Sequence, residues 1–369
     1  MNIPKLRFKD NNGNDYPQWK KKLIKDILKI YHGKDYKNEP NEKKLYPVLG
    51  TGGIITYIDK FLCDWECVLI GRKGTINKPQ YMKTPFWSVD TLFYSKPKLK
   101  QNPKFQYYLF QNINWKIYDE STGVPSLSAS TIEHINRFIP TYAEQEKIAS
   151  FFSTIDKKIE NLTNTITSLE NQKKGLLQQI FSQKLRFKDK NGNNYPNWKK
   201  KKLGDLFTIK AGGDINKENF SEQYSIEFKY PVYANALTNN GLYGYSNIYK
   251  IDKPSITVTG RGINVGFALS REPFYYPIVR LLVLIPNINI NFTFFTESIN
   301  FIHIFNESTG VPQLTAPQLS KVNVYVPNIE EQNKIGNLFD KLNEKIDNKK
   351  AQLEHWQQIK KGLLQQMFV

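Results

Sequence analysis

The chain has 369 residues, 40% hydrophobic and 14% aromatic, enough to bury the cores of two or more domains and too apolar for disorder. A formal charge of +18 favours polyanionic partners, nucleic acid first, because each cation placed beside a phosphate releases condensed counterions; a Lys-rich solvated surface, or a ribosomal or membrane-surface role, is the competing reading. No apolar run reaches the roughly 18 residues of a membrane span and MNIPKLRFKD lacks a signal-peptide core, so the expected compartment is the cytoplasm; with Cys63 and Cys67 its only cysteines and four histidines, neither a disulfide framework nor a structural zinc site is expected, and both cysteines read as packing residues.

The first element is an arm, residues 1–23. Its segment 5–22, KLRFKDNNGNDYPQWKKK, returns at 184–201 as KLRFKDKNGNNYPNWKKK, a shift of 179 with three differences. The match continues through Asp26, Ile30 and Gly33 against Asp205, Ile209 and Gly212, then fades. Lys20 to Lys22 and Lys199 to Lys202 either touch phosphates, stay solvated or contact protein.

A divergent region, 24–140, follows, with short branched and aromatic runs between Gly, Pro and Asn clusters. Residues 67–70 and 89–94 are expected strands, 105–112 a helix, and 135–140 a closing strand. Two glycine-rich turns interrupt them, Gly50-Thr51-Gly52-Gly53 and Gly71-Arg72-Lys73-Gly74. Glycine lets backbone N–H groups approach a phosphate or base edge, and Arg pairs bidentately with guanine. Thr51, Gly52, Arg72, Lys73 and nearby Lys78 are therefore candidate DNA contacts; the alternative is a tight turn with its cation in solvent.

A long helix is expected over 141–182. Thr141-x-x-Glu144 after Pro140 is a capping-box signature. Apolar residues then recur at spacings of four and three, Ile148, Phe152, Ile155, Ile159, Leu162, Ile166 and Leu169, with Leu176 and Ile180 following an interruption at Lys173. That is a coiled-coil seam.

The second arm, 183–202, leads into the divergent region 203–327. Strands are expected at 255–259 and 278–285, a helix at 292–304 and a closing strand at 322–327. Its candidate contacts are Arg261 in Gly260-Arg261-Gly262, Asn264, and Asn235 and Asn239, with Asn240 beside them; asparagine reads adenine but also favours turns. The last helix, 328–369, opens on Asn328-x-x-Glu331 and carries Ile335, Phe339, Leu342, Ile346, Leu353, Trp356, Leu363 and Met367, with Lys349 and Lys360 at the interruptions.

The two tails match at a shift of 187: Glu120-Ser-Thr-Gly-Val-Pro125 equals Glu307-Ser-Thr-Gly-Val-Pro312, and KKGLLQQIF (173–181) returns as KKGLLQQMF (360–368). The second divergent region is therefore eight residues longer. Two copies are too few for a solenoid; pseudo-two-fold symmetry fits, with a constant frame and variable binding surfaces. Each helix would reach on the order of 60 Å and needs a partner. The simplest is the other copy packed antiparallel; docking on its own domain is the alternative. Symmetry also predicts neighbouring termini, because the first helix runs straight into the second arm while the arm equivalent for the second helix lies at the N-terminus.

Chemistry-bearing motifs are missing. Asn102-Pro-Lys-Phe105 lacks the second proline of an adenine methylase motif, and Gly260, Gly262 and Gly266 break the G-x-G-x-x-G spacing. There is no ATP-binding G-x-x-x-x-G-K-[ST] loop. No nuclease cluster is apparent, and His32, His134, His303 and His355 fit no ligand or triad spacing. The chain reads as a binder, with no metal site and no chemistry of its own.

Two divergent regions alternating with two constant helical regions resemble the specificity subunit of type I restriction-modification systems. The features that carry the resemblance are the LRFKD-x-NG-x-x-YP-x-W arms, the ESTGVP segments, the Glu144-Gln145 and Glu331-Gln332 pairs and the KKGLLQQ tails. It implies α/β (α+β) target-recognition domains at 24–140 and 203–327, joined by two long antiparallel helices forming a coiled coil, at 141–182 and 328–369. Each domain would read one half of an asymmetric split target in double-stranded DNA, the helix pair would set the spacer, and two modification (methyltransferase) subunits would attach to the frame. S-adenosylmethionine is expected on those subunits, ATP and Mg on restriction (translocase/nuclease) subunits, and no cofactor on this chain. The competing function is a non-catalytic basic scaffold that binds RNA or an acidic protein.

Overall fold

The computed structural model describes residues 4–262, 264–302, 304 and 312–368; His303 and the Glu307–Val311 part of the second ESTGVP segment lie outside them. The chain divides into two compact units, residues 1–163 with 351–369, and residues 164–350.

In the first unit, a four-stranded antiparallel sheet has the order Leu28–Tyr31, Leu92–Pro97, Cys67–Gly71, Gln80–Met82. Strand Cys67–Gly71 is buried throughout, and its residues alternate between two cores, as side chains two apart share a face. Val68 and Ile70 join the main core with Phe105, Tyr108 and Leu109 of helix Pro103–Gln111. Cys67 and Leu69 face a second cluster with Leu49, Cys63, Phe86 and Leu92. Both cysteines are free thiols within packed surroundings, Sγ to Sγ 3.8 Å. A three-stranded sheet, Gly53–Ile58, Tyr46–Gly50 and Trp87–Ser88, completes the domain.

The second unit repeats this plan. Its first sheet runs Phe207–Ala211, Leu281–Pro286, Ser255–Thr259, Ala268–Arg271. Ile256 and Val258 pack on Phe294, Phe295 and Ile299 of helix Phe292–Ile302. On the opposite face Ser255 bonds the Tyr275 hydroxyl (2.6 Å) and Thr257 accepts from Arg271 (2.9 Å). The second sheet has four strands, Phe220–Ser221, Leu242–Ser246, Tyr230–Tyr233 and Tyr276–Pro277, with Phe220–Ser221 as an edge strand beyond the three-stranded plan of the first unit.

Element bounds differ from the sequence pattern where a turn intervenes. The run 89–94 becomes strand only at Leu92, because Leu92 N–H bonds Val89 O (2.9 Å) and closes a turn. The run 278–285 likewise begins at Leu281, whose N–H bonds Ile278 O (3.0 Å). The expected helix 292–304 ends at Ile302.

The long helices are Tyr142–Phe181 and Ile329–Met367. In the first unit Ile148, Phe152 and Ile155 pack with Leu364, Met367 and Phe368. In the second, Leu176, Ile180 and Phe181 pack with Ile335, Phe339 and Leu342. Within the first unit Phe152 lies against Phe368 and Asp156 pairs with Lys360, and within the second Glu170 pairs with Lys350 and Phe181 lies against Phe339, so within each unit the helices run antiparallel.

The capping-box reading of the two glutamates is corrected. Glu144 does not fold back on Thr141; its carboxylate takes a bidentate pair from Arg7 (3.1 and 2.8 Å) and the Trp19 indole N–H (3.0 Å). Glu331 does the same with Arg186 (3.1 and 2.7 Å) and Trp198 (3.1 Å), leaving the Asn328 side chain to cap Glu331 N–H (3.0 Å). Both carboxylates are fully buried. A buried carboxylate needs such partners, and its hydrogen bond holds the Arg7 guanidinium above its ordinary pKa. The adjacent glutamines work in the other direction. Gln145 accepts Asn102 N–H (2.9 Å) and donates to Pro140 O (3.1 Å), while Gln332 accepts Asn291 N–H and donates to Pro327 O. Each Glu-Gln pair thus ties one arm and one helix of a divergent region to the start of a long helix.

The lysine runs pair with the closing strands, Lys20–Leu23 with Asn136–Ile139 and Lys199–Lys202 with Asn323–Val326. The N-terminal arm lies at the end of the last helix, Leu6 N–H to Gln366 O (3.2 Å), as Leu185 N–H lies on Gln179 O (3.0 Å). Those positions correspond under the two repeat shifts.

Candidate nucleic-acid interface

Two turns from different sheets converge in each domain. In the first, hairpin Tyr46–Gly50 to Gly53–Ile58 turns at Thr51-Gly52. It lies beside the Arg72 to Gly74 turn; a Cβ on Gly74 would stand 4.0 Å from Thr51 Oγ1. In the second domain the link is direct. The Asn235 amide accepts from Gly260 N–H (2.6 Å) and Arg261 N–H (3.1 Å) and donates to Arg261 O (2.6 Å).

The constant segment after ESTGV clamps both basic turns with the same three contacts. Gly74 N–H bonds Pro125 O (2.8 Å), Leu127 N–H bonds Arg72 O (2.9 Å), and Lys73 bridges Ser126. In the second domain Gly262 N–H bonds Pro312 O (2.9 Å), Leu314 N–H bonds Gly260 O (2.8 Å), and Arg261 bridges Gln313. Gly74 and Gly262 have φ of +90° and +92°, the left-handed region where a Cβ is strained. In the first domain Asp119 holds the clamp, accepting from Ser126 N–H (2.9 Å) and from the Ser121 N–H and hydroxyl; these bonds, that of Ser126 foremost, hold its carboxyl below the ordinary value.

The clamp sets a register that the letters alone do not give. Matching Gly71-Arg72 to Gly260-Arg261 by eye aligns the two arginines, whereas the backbone bonds place Lys73 opposite Arg261 and Arg72 opposite Gly260. Lys73 and Arg261 are both exposed. Arg72 is exposed too, but its guanidinium donates to Asp90 O (3.2 Å). Asn235 is occupied in bracing the Arg261 turn. Asn239 is exposed at φ +49°, in a loop whose Asn240 O accepts from the buried Arg271 (2.7 Å). Asn264 is exposed, its carbonyl receiving Phe267 N–H. Lys78 lines a groove of about 370 Å³ with Gln111, Lys360 and Lys361. So Thr51, Gly52, Arg72 and Lys73 come together, as do Asn235, Arg261 and Asn264.

Among the candidate seam residues, Phe152, Ile155, Leu162, Ile166, Leu169, Phe339 and Ile346 are buried, and Ile159, Leu342, Leu353 and Trp356 are half-buried.

Sequence reasoning missed the brace by Asn235 and the clamp by Ser126 and Gln313. One signal was available for the brace: Tyr46-Pro47-Val48 recurs as Tyr230-Pro231-Val232. Both open strands that pair in parallel with a two-residue partner, Val48 with Trp87 and Val232 with Tyr276. That register sets Thr51 against Asn235.

Among the described residues no group of three or more His, Cys, Asp or Glu side chains could hold a metal ion, and no helix is long and apolar enough to cross a membrane. Comparison with known proteins supplies the family. The model of the type I restriction modification DNA specificity domain matches residues 16–171 and 195–356. A protein assigned as a type I specificity subunit in Mycoplasma pneumoniae is 24% identical over 326 residues, covering 86% of this chain and 88% of its own. The specificity subunit of the type I restriction enzyme MjaVIII of Methanocaldococcus jannaschii is 21% identical over 97% of this chain and 94% of its own. The crystal structure of a type I restriction-modification S subunit from M. genitalium shares the fold, with a TM-score of 0.74 and 20% identity over 100% of this chain and 99% of that one. Matched twice across most of its length, the chain belongs to the type I restriction modification DNA specificity family.

Proposed function

We propose that this chain is the sequence-reading specificity subunit of a type I restriction-modification complex, with one turn-lined domain for each half of an asymmetric bipartite DNA target. The observation that carries this is the duplicated clamp. A constant segment holds the backbone of a basic, glycine-containing turn identically in two domains whose side chains have diverged. Phosphate contacts fix register, and base-edge contacts in the major groove carry the sequence information. A turn with a fixed backbone and variable side chains suits that second task, and Lys73 and Arg261 are the corresponding basic residues.

The chain itself performs no reaction on this reading. It positions DNA for two modification subunits, which would carry S-adenosylmethionine and methylate adenine N6; restriction subunits would use ATP and Mg. The antiparallel helices set the spacing of the half-sites, and the cytoplasm is the compartment. The test is to replace residues 203–306 with the matching region of another family member and sequence the methylated sites of cells carrying the hybrid. One half of a split N6-methyladenine motif is expected to change. Change in both halves, or retention of single-stranded RNA in preference to duplex DNA by the purified chain, overturns the reading.

A further inference from the structure

The seam of each long helix is interrupted by a lysine at corresponding positions, Lys173 and Lys360. Only 23% and 16% of these side chains is exposed, so each ammonium requires a nearby negative charge. The two units supply it from opposite sides of the junction between helix and target domain. In the first unit the carboxylate belongs to the helix. Lys360 Nζ lies 2.7 Å from Asp156 Oδ1, and the other oxygen of Asp156 accepts the hydroxyl of Tyr108, on the domain helix, at 2.7 Å. In the second unit the carboxylate belongs to the domain. Lys173 Nζ lies 2.5 Å from Glu297 Oε1, and the long helix contributes Asn343, whose amide donates to the same oxygen at 3.2 Å.

These are corresponding positions. Asp156 and Asn343 are related by the tail shift of 187. Tyr108 and Glu297 each stand six residues beyond an asparagine cap, Asn102 and Asn291, whose Oδ1 accepts the N–H of Phe105 and Phe294 at 2.9 Å. Donor and acceptor have exchanged sides while the lysine stayed. Lys104, which stands where the second domain has Thr293, adds positive charge on the domain side of the first junction, 5.6 Å from the Tyr108 ring. Asp340 and Asp347 line the same cavity as Lys173, but the carboxylate in contact with the Lys173 ammonium is Glu297; Asp340 accepts from Thr293 (2.6 Å) and Lys350 pairs with Glu170 (2.7 Å).

We propose that Lys173 and Lys360 determine which target domain a helical frame accepts, the rule being that frame and domain together present one carboxylate to the lysine. No carboxylate strands a half-buried cation, and two set like charges against each other. A domain of the first type moved onto the Asn343 frame would bring Tyr and Lys to Lys173 in place of Glu297, and the reciprocal move would bring a second acid to a Lys360 already paired with Asp156. The idea rests on the two middles being exchangeable reading domains, but its test needs no DNA.

The test measures the melting temperature of the full chain carrying Glu297→Gln, Asn343→Asp, or both, which relocates the carboxylate from domain to helix with little change of volume. Each single substitution is expected to lower the melting temperature by about 2–4 °C or more, and the double variant to recover most of that loss, a coupling read as a double-mutant cycle. In a Lys173→Met background, Glu297→Gln is expected to cost much less than in the parent. Additive losses in the double variant, or an undiminished cost with methionine at position 173, overturn the acceptance rule and leave the DNA-reading proposal standing. Altered half-sites bear on that proposal alone.

Discussion

The arms and the divergent middles respond differently to duplication. In the arms sequence is kept and so is the buried ion pair: Arg7, Trp19 and Glu144 repeat as Arg186, Trp198 and Glu331 with distances that agree within 0.1 Å. In the middles sequence is lost, yet the three contacts that hold the basic turns recur where the constant segment touches them. The difference teaches that the frame dictates the backbone of the basic turns and leaves their side chains free. That is the separation a protein needs if it is to change what it reads without changing how it folds.

The largest expected effect lies in the arms. Removing one partner of a buried ion pair leaves the other uncompensated, so Glu331→Gln is expected to cost about 3–5 kcal/mol, measured by denaturant unfolding. Glu144→Gln should cost the same, because its partners and geometry are the same. Costs that differ by more than about 1 kcal/mol, against the rough agreement expected of equivalent sites, would break the claim that the arms are interchangeable parts of one frame.

Next come the corresponding basic residues of the turns. Arg261→Ala is expected to weaken duplex binding by about 1–3 kcal/mol if it reads a base, with discrimination lost in one half-site only, and Lys73→Ala to act on the other. Filter binding to targets with each half scrambled in turn distinguishes them. Equal loss on all sequences would make both residues phosphate contacts.

Asn235→Ala sharpens that result. It removes three hydrogen bonds from the Arg261 turn without removing charge. A loss of about 1–2 kcal/mol in affinity for the second half-site is expected, with the salt dependence unchanged, whereas removing a phosphate-bound cation lowers the salt slope by about 1. A lowered salt slope in the Asn235 variant would mean that the braced turn carries a phosphate contact, and an unchanged affinity that the turn is held by something other than this amide.

Much of this was legible in the sequence because it depended on local pattern. The seam from Phe152 to Leu169 needs only the period of a helix, and strand Ser255–Thr259 only its branched residues between turns. Two kinds of feature were not legible. The role of Glu144 was misread because a capping box and a buried ion pair place glutamate at the same spot; which one forms depends on Arg7, 137 residues away. The register of the basic turns was not legible because glycine and arginine letters align most simply with each other, while the chain aligns by the hydrogen bonds of Pro125 and Pro312. Partners far along the chain decide both cases, and local pattern carries no record of them.

The smallest effect tests the clamp itself. Among the described residues nothing lies within 4 Å of where a Cβ on Gly262 would stand, and at Gly74 only Thr51 Oγ1 does, at 4.0 Å. A substitution at either position therefore meets no close described neighbour, and its expected cost comes from the left-handed backbone. Gly74→Ala and Gly262→Ala are each expected to lose about 1 kcal/mol of stability. Asparagine, which tolerates that conformation, should lose less than alanine at both positions. An alanine that costs nothing would mean that the turn can leave the left-handed region, and with it the bond to Pro125 or Pro312. The constant segment would then no longer set the backbone of the turn, and the contrast between copied frame and free side chain would hold only in the arms.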